Sequence, residues 1–446
     1  MTPYSTRRAQ LIALMQAKGG GVAIIPTAPE VMRNRDADYP YRHDSYFYYL
    51  SGFMEPEAVV VLVAGEQPKA ILFCREKNLE REIWDGVRYG PVAACEKFGF
   101  DAAFPIEAMA AEIPKLLADA PSVFYALGHQ SDYDQKLQGW LDTVRAMGRA
   151  GVVAPSAIHN VQVLMDEMRL FKDADEVALM RRAGVISAEG HCRAMRLARP
   201  GLREYELEAE LLHEFRRQGS QYPAYGSIVA TGANACVLHY RASDAILKDG
   251  DLVLIDAGCE FDSYAGDITR TFPANGVFSG PQKELYEIVL AAQYAAIEVT
   301  RPGKHFMDGH DAAVRVLAQG MLDTGLLDKN KVGALDDVIT NGDFRQFYMH
   351  RTGHWLGMDV HDVGEYRDLH APVVQGEPKP WRGLQPGMVT TVEPGIYVRP
   401  AQGVPEKYWN IGIRIEDDAL VTETGCELMS TGAPRAVGDI EAMMRK

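Results

Sequence analysis

Two stretches of this 446-residue sequence follow one plan. Leu247-Lys248-Asp249-Gly250 leads into Asp256-Ala257-Gly258, and Leu384-Gln385-Pro386-Gly387 leads into Glu393-Pro394-Gly395. Leucine, glycine, carboxylate and final glycine fall at the same offsets in both. Upstream, a helical pattern stops at Arg199-Pro200-Gly201, and another, from about residue 282 to 299, stops at Arg301-Pro302-Gly303. A shorter helical stretch follows each stop. Any one of these patterns is a common turn, but their shared order predicts a duplicated α/β unit. Each half then ends a core strand in a carboxylate.

The length exceeds what a single hydrophobic core usually organises, so two domains are expected. Residues 22–150 read as a small α/β unit. Val59 to Val63 and Ala70 to Cys74 are strand-like runs joined across Gly65-Glu66-Gln67-Pro68. Helical stretches follow over 107–117 and 132–145, with Pro114 expected to kink or break the first. Gly148 to Pro155 signals a nearby boundary. Asp173 and Glu176 form a capping-box pattern that predicts a helix from there to about Leu197. The next helix places Leu207, Leu211 and Phe215 on one face and ends at Gly219. The expected domains are residues 1–172 and 173–446.

The formal net charge of −15 argues against nucleic acid or an anionic membrane as the main partner. Six scattered cysteines without a CxxC pair read as reduced, mostly buried thiols of a cytoplasmic protein. The apolar run Leu11 to Met15 is too short for a signal-peptide core and reads as part of an amphipathic first helix. No run approaches the ~20 apolar residues of a membrane span. Trp84 reads as a packing residue, with contact to a neighbouring chain's cleft as the alternative.

The chemistry concentrates in the second half. Leu252 to Ile255 is a fully apolar strand closed by Asp256, and Asp267 opens a further strand after a turn through Ser263 and Gly266. A carboxylate ending an apolar strand is costly unless a cation compensates it or it caps the turn. The segment His350 to Asp362 holds three of the twelve histidines. Glu393 ends the run Met388 to Val392, where it is either a turn carboxylate or a ligand. Alternation in Ile411 to Glu416 sets Arg414 and Glu416 on one face, a surface ladder or a site. Taken together, Asp256, Asp267, His354, Glu393 and Glu416 offer four carboxylates and one imidazole. Four such groups cannot all ionise side by side without cations. Two divalent ions would balance their charge. An oxygen-rich set with one nitrogen favours Mn²⁺ or a similarly hard ion, with Zn²⁺ or Co²⁺ also able to occupy it.

The order of these residues resembles a known family. Asp256, then Asp267 eleven residues on, the HxxxHxxGxxxHD segment from His350, Val-Glu-Pro-Gly at 392–395 and Ile-Arg-Ile-Glu-Asp at 413–417 are similar to the pita-bread metallopeptidases. The similarity is greatest to the Xaa-Pro aminopeptidase and prolidase branch. The run Asp44 to Ala58 resembles that of bacterial aminopeptidase P, so the resemblance spans nearly the whole chain. It implies a small α/β N-terminal domain followed by a pita-bread catalytic domain of two pseudo-symmetric halves. It implies Asp256, Asp267 and Glu416 on one metal, and Asp267, His354, Glu393 and Glu416 on the other. His239 and His361 are then expected in the substrate pocket, with His350, Tyr225 and Arg414 in or behind it. Glu393 is expected to relay a proton, and His361 and His239 to hydrogen-bond the substrate. The implied partners are peptides beginning Xaa-Pro, and relatives of this kind form dimers or tetramers.

Rival readings share the fold. A prolidase restricts the same chemistry to dipeptides. A methionine aminopeptidase usually lacks the N-terminal unit. A creatinase-like enzyme or a non-catalytic peptide-binding domain dispenses with the metal ligands, all of which this sequence keeps.

Overall fold

The computed structural model describes residues 2–241 and 244–445. The chain divides into two compact units, Met1–Met168 and Arg169–Lys446.

The first unit is built on a six-stranded mixed sheet. Its strands are β1 (Gly21–Pro26), β2 (Val59–Ala64), β3 (Lys69–Cys74), β4 (Ala102–Pro105), β5 (Ser122–Phe124) and β6 (Ala157–His159), in the order β4-β3-β2-β1-β5-β6. The expected hairpin is present, with β2 and β3 antiparallel and Val61 opposite Ile71. Val22, Ile24, Val59, Val61, Ile71 and Phe73 share one buried cluster with Ile113 and Leu117 of helix α2 (Met109–Leu117) and with Leu137, Leu141 and Val144 of α3 (Ser131–Ala146). Helix α1 (Pro3–Ala17) buries Leu11, Ile12 and Met15. Pro114 does not break α2. It sits inside the helix, which runs three residues beyond it. The glycine- and proline-bearing stretch at 148–155 lies within this unit and leads into β6, which pairs in parallel with β5. Trp84 is not packed. It is 83% exposed on a short helix, Leu79–Asp85, that buries no side chain.

In the second unit, helix α4 (Ala174–Leu197) starts at the capping box read from the sequence. The Asp173 carboxylate accepts from the Glu176 N–H at 2.9 Å, and the Glu176 carboxylate accepts from the Asp173 N–H at 2.9 Å. Helix α5 (Glu204–Arg217) buries Leu207, Leu211 and Phe215 against the same core. Strands β7 (Ile228–Thr231), β8 (Leu252–Asp256) and β11 (Thr269–Pro273) form an antiparallel sheet in that order. A small hairpin of β9 (Cys259–Phe261) and β10 (Tyr264–Ala265) intervenes. Helices α6 (Gly280–Val299) and α7 (Asp308–Asp323) follow. After them come β12 (Val389–Val392), β13 (Gly395–Val398), β14 (Ile411–Arg414), β15 (Asp417–Val421) and β16 (Cys426–Leu428). A second antiparallel sheet is ordered β12-β15-β16, and β13 pairs with β14.

The echo in the sequence therefore corresponds to helix pair, then sheet, twice. Asp256 is the last residue of β8, and Glu393 directly follows β12. One local expectation differs: Asp267 does not open β11 but precedes it by two residues. The β9–β10 hairpin carries the chain out and back, and Asp256 pairs with Thr269. The six cysteines are free thiols. No helix among the described residues is long and apolar enough to cross a membrane.

Candidate metal centre

Asp256 and Asp267 are brought together by the register of β8 against β11, and the Tyr225 hydroxyl lies between them. Its oxygen is 2.5 Å from Asp256 Oδ1 and 2.5 Å from Asp267 Oδ1. A phenol has one proton to donate, so a second charge-compensating species is required among these oxygens. Burial, followed by the two aspartates, holds the Tyr225 hydroxyl far above its ordinary value, so it remains a donor.

Asp256 is also gripped from the other half. Arg414, on β14, donates from Nη2 to Asp256 Oδ2 at 2.6 Å, from Nε to Thr269 Oγ1 at 3.0 Å and from Nη1 to the Tyr397 hydroxyl at 2.9 Å. Thr269 donates in turn to Glu416 Oε2 at 2.6 Å. Arg414 and Glu416 are both buried, so the surface-ladder alternative does not hold.

His354 sits on an irregular segment tied to β12. Its N–H donates to Thr391 Oγ1 at 3.2 Å, and its carbonyl accepts from the Thr391 N–H at 3.0 Å. The ring Nδ1 lies 2.9 Å from the Trp355 carbonyl, which fixes the hydrogen there and aims Nε2 at the carboxylates. Nε2 is 3.5 Å from Asp267 Oδ2 and 3.8 Å from Glu393 Oε1. Asp267, His354 and Glu416 each offer one ligand atom, and those atoms lie within 4.8 Å of one another.

Electrostatics make this cluster costly without cations. Burial raises the Glu393 carboxyl to about 7, with Asp267 and Asp256 adding to the effect of burial and His354 and Arg414 opposing it. Glu416 is held well above the usual carboxylate range by burial and by Asp267, Glu393 and Asp256. Burial and Asp256 raise Asp267. Burial alone would lower His354, but Asp267 and Glu393 outweigh it and raise the ring to about 9. Four carboxylates and one imidazole gathered together are a donor set suited to hard divalent cations.

The remaining predicted residues flank the cluster. His350 has Nε2 2.8 Å from the Tyr397 hydroxyl and Nδ1 3.8 Å from Glu393 Oε2. Burial and Arg414 depress it to about 3, so it is a neutral ring. His361 stacks on His354 with centroids 4.0 Å apart and is itself exposed. Burial, His354 and His239 lower its pKa. His239, also exposed, joins the group through that electrostatic effect on His361.

Three contributors were not singled out from the sequence. Thr269 bridges Glu416 and Arg414, and Tyr397 bridges Arg414 and His350. The fully buried Asp418 accepts from the Asp267 N–H at 3.2 Å. The run Glu416-Asp417-Asp418, three carboxylates leading into an apolar strand, was the available signal for the last.

The profile of metallopeptidase family M24 matches residues 178–423, and that of the aminopeptidase P N-terminal domain matches residues 4–125. The chain is 43% identical over 443 residues to the Xaa-Pro aminopeptidase of Escherichia coli, covering 99% of this chain and 97% of that protein. It is 44% identical over 447 residues to the Xaa-Pro aminopeptidase of Haemophilus influenzae, covering 99% and 96%. Among solved structures, the aminopeptidase PepP of Pseudomonas aeruginosa superposes with a TM-score of 0.94 at 50% identity, covering 99% of this chain and 97% of that one.

Proposed function

The chain belongs to metallopeptidase family M24, and on that footing we propose that it is an Xaa-Pro aminopeptidase, a hydrolase cutting between an N-terminal residue and a following proline. The single observation that carries the chemistry is the convergence of Asp267, His354 and Glu416 within 4.8 Å, with Asp256 and Glu393 beside them. These five residues hold divalent metal; we assign two ions and favour Mn²⁺, because the donors are four carboxylates and one imidazole. The metals, when bound, supply a water of lowered pKa and a Lewis acid for the scissile carbonyl.

The protein's own groups do the rest. Arg414 and Tyr225 hold Asp256 in place, and Thr269 holds Glu416. Glu393, beside His354 and His350, takes the proton released by the attacking water and gives it to the leaving proline nitrogen. Exposed His361 and His239 donate to the substrate carbonyl as charge develops on it. Proline's missing N–H and fixed φ make such bonds poor substrates for general peptidases, so a pocket fitted to the ring gives selectivity. The acidic surface and free thiols favour a cytoplasmic enzyme acting on peptides rather than nucleic acid or membrane, and we expect a homo-oligomer.

The test strips the metal, restores Mn²⁺ and compares Xaa-Pro-Yaa tripeptides, Xaa-Pro dipeptides and Met-Ala peptides. Tripeptide cleavage that depends on the metal is expected. Cleavage confined to dipeptides would reassign the chain as a prolidase.

A further inference from the structure

Beside the His354 segment lies a buried charge cluster that none of the steps above uses. Arg169 Nη2 donates to Asp362 Oδ1 at 2.7 Å, and Lys172 Nζ donates to Asp362 Oδ2 at 2.9 Å. All three side chains are 1% exposed. Arg169 Nη2 also meets Asp359 Oδ2 at 2.8 Å. Two cations therefore grip one short loop through two of its carboxylates. Taking three charged groups out of water is expensive, and geometry rather than stability is the usual return.

The loop so gripped meets the candidate metal centre through the Trp355 carbonyl and through the His361 ring. The Asp362 N–H donates to the Trp355 carbonyl at 2.9 Å. That same carbonyl lies 2.9 Å from His354 Nδ1, the contact that aims His354 Nε2 at the carboxylates. His361 is the residue before Asp362, and its ring stacks on His354. Space around the carboxylate is tight: a Cβ at Gly357 would stand 2.1 Å from Asp362 Oδ2. The loop can close over Asp362 only with glycine there.

We propose that Asp362, clamped by Arg169 and Lys172, is a positioning residue that aims His361 at the reacting carbonyl. The inference rests on the reading of His361 as a pocket donor. A side chain misplaced by about 1 Å costs on the order of a hundredfold in rate. Loss of the Asp362 charge lets the loop shift and moves His361 off its target, while His354, tied separately to Thr391 through its own N–H and carbonyl, stays in place with the other four ligands.

The experiment is a double-mutant cycle on the Mn²⁺-loaded full chain, with kcat, KM and bound metal measured for Asp362→Asn, His361→Ala and the pair. Asp362→Asn is expected to keep its metal and lose about 10–100-fold in kcat, with KM changed by no more than about threefold. In the His361→Ala background the same change should alter kcat by no more than about twofold. An equal loss in both backgrounds, or a loss of metal in step with kcat, would overturn the proposal. If Asp362→Asn does not fold, Lys172→Met with Asp362→Asn removes one charge of each sign and is read in the same way. Full turnover in His361→Ala alone would instead remove the assigned role of His361 and with it the basis of the proposal.

Discussion

At Glu393 and His354 the cluster stores a pH-dependent penalty. A carboxyl raised from 4.5 to about 7 contributes full stability below 4.5 and loses it as pH rises through 7. A ring raised from 6.5 to about 9 does the same between those values. The Glu393 effect therefore weakens the metal-stripped chain from neutral pH upward, while the favourable effect at His354 is still largely present at pH 7 and is lost as pH rises through about 9. Removing the charge at Glu393 should relieve this. Stripped Glu393→Gln is expected to melt at a higher temperature than the stripped parent at pH 8, with the gap closing by pH 5, and scanning calorimetry reads the difference. A gap that persists at pH 5 would mean that the amide packs better, not that charge was the cost. Four of the five ligand candidates stood out in the sequence as carboxylates at or beside apolar strand-like runs, and His354 stood out through the histidine-bearing segment 350–362. Thr269 and Tyr397 were not, because a threonine or tyrosine in a strand is unremarkable until its partner from a distant strand is known.

Among the elements, the turn between β8 and β9 carries Gly258, where an added Cβ would have a nearer backbone neighbour than at any other described glycine. A Cβ on Gly258 would lie 1.7 Å from the Gly266 carbonyl oxygen and 3.1 Å from the Asp267 nitrogen. Backbone cannot yield as a side-chain tip can. Gly258→Ala must therefore separate the segments bearing Asp256 and Asp267. It is expected to lower stability by about 1–3 kcal/mol in denaturant unfolding and to reduce metal content together with activity. Retention of both would place the strain elsewhere. Element boundaries were readable where side-chain chemistry marks them. The Asp173–Glu176 capping box placed the start of α4, and Leu207, Leu211 and Phe215 marked the buried face of α5. The β9–β10 hairpin escaped notice because strands of three and two residues show no period. Pro114 misled for a different reason. It lies in the second turn of a helix that begins at Met109, so its missing N–H forgoes a single bond.

For the molecule, the two halves of the second unit each supply carboxylates from the end of a core strand, and neither half holds a complete set. Asp256 and Asp267 come from the first half, and His354, Glu393 and Glu416 from the second. The repeat visible in the sequence is thus also the plan of the candidate site: two sheets meet, and acidic residues at or beside their strand ends face one another. What the sequence could not reveal is how closely those ends approach, since that depends on register and on Arg414 reaching back to Asp256. The most direct test of this account is to titrate the metal-stripped chain with Mn²⁺ while following hydrolysis of an Xaa-Pro-Yaa tripeptide. Two ions bound per chain, turnover rising with occupancy, and loss of both in Asp267→Ala are predicted. Undiminished turnover in the stripped chain or in Asp267→Ala would contradict it.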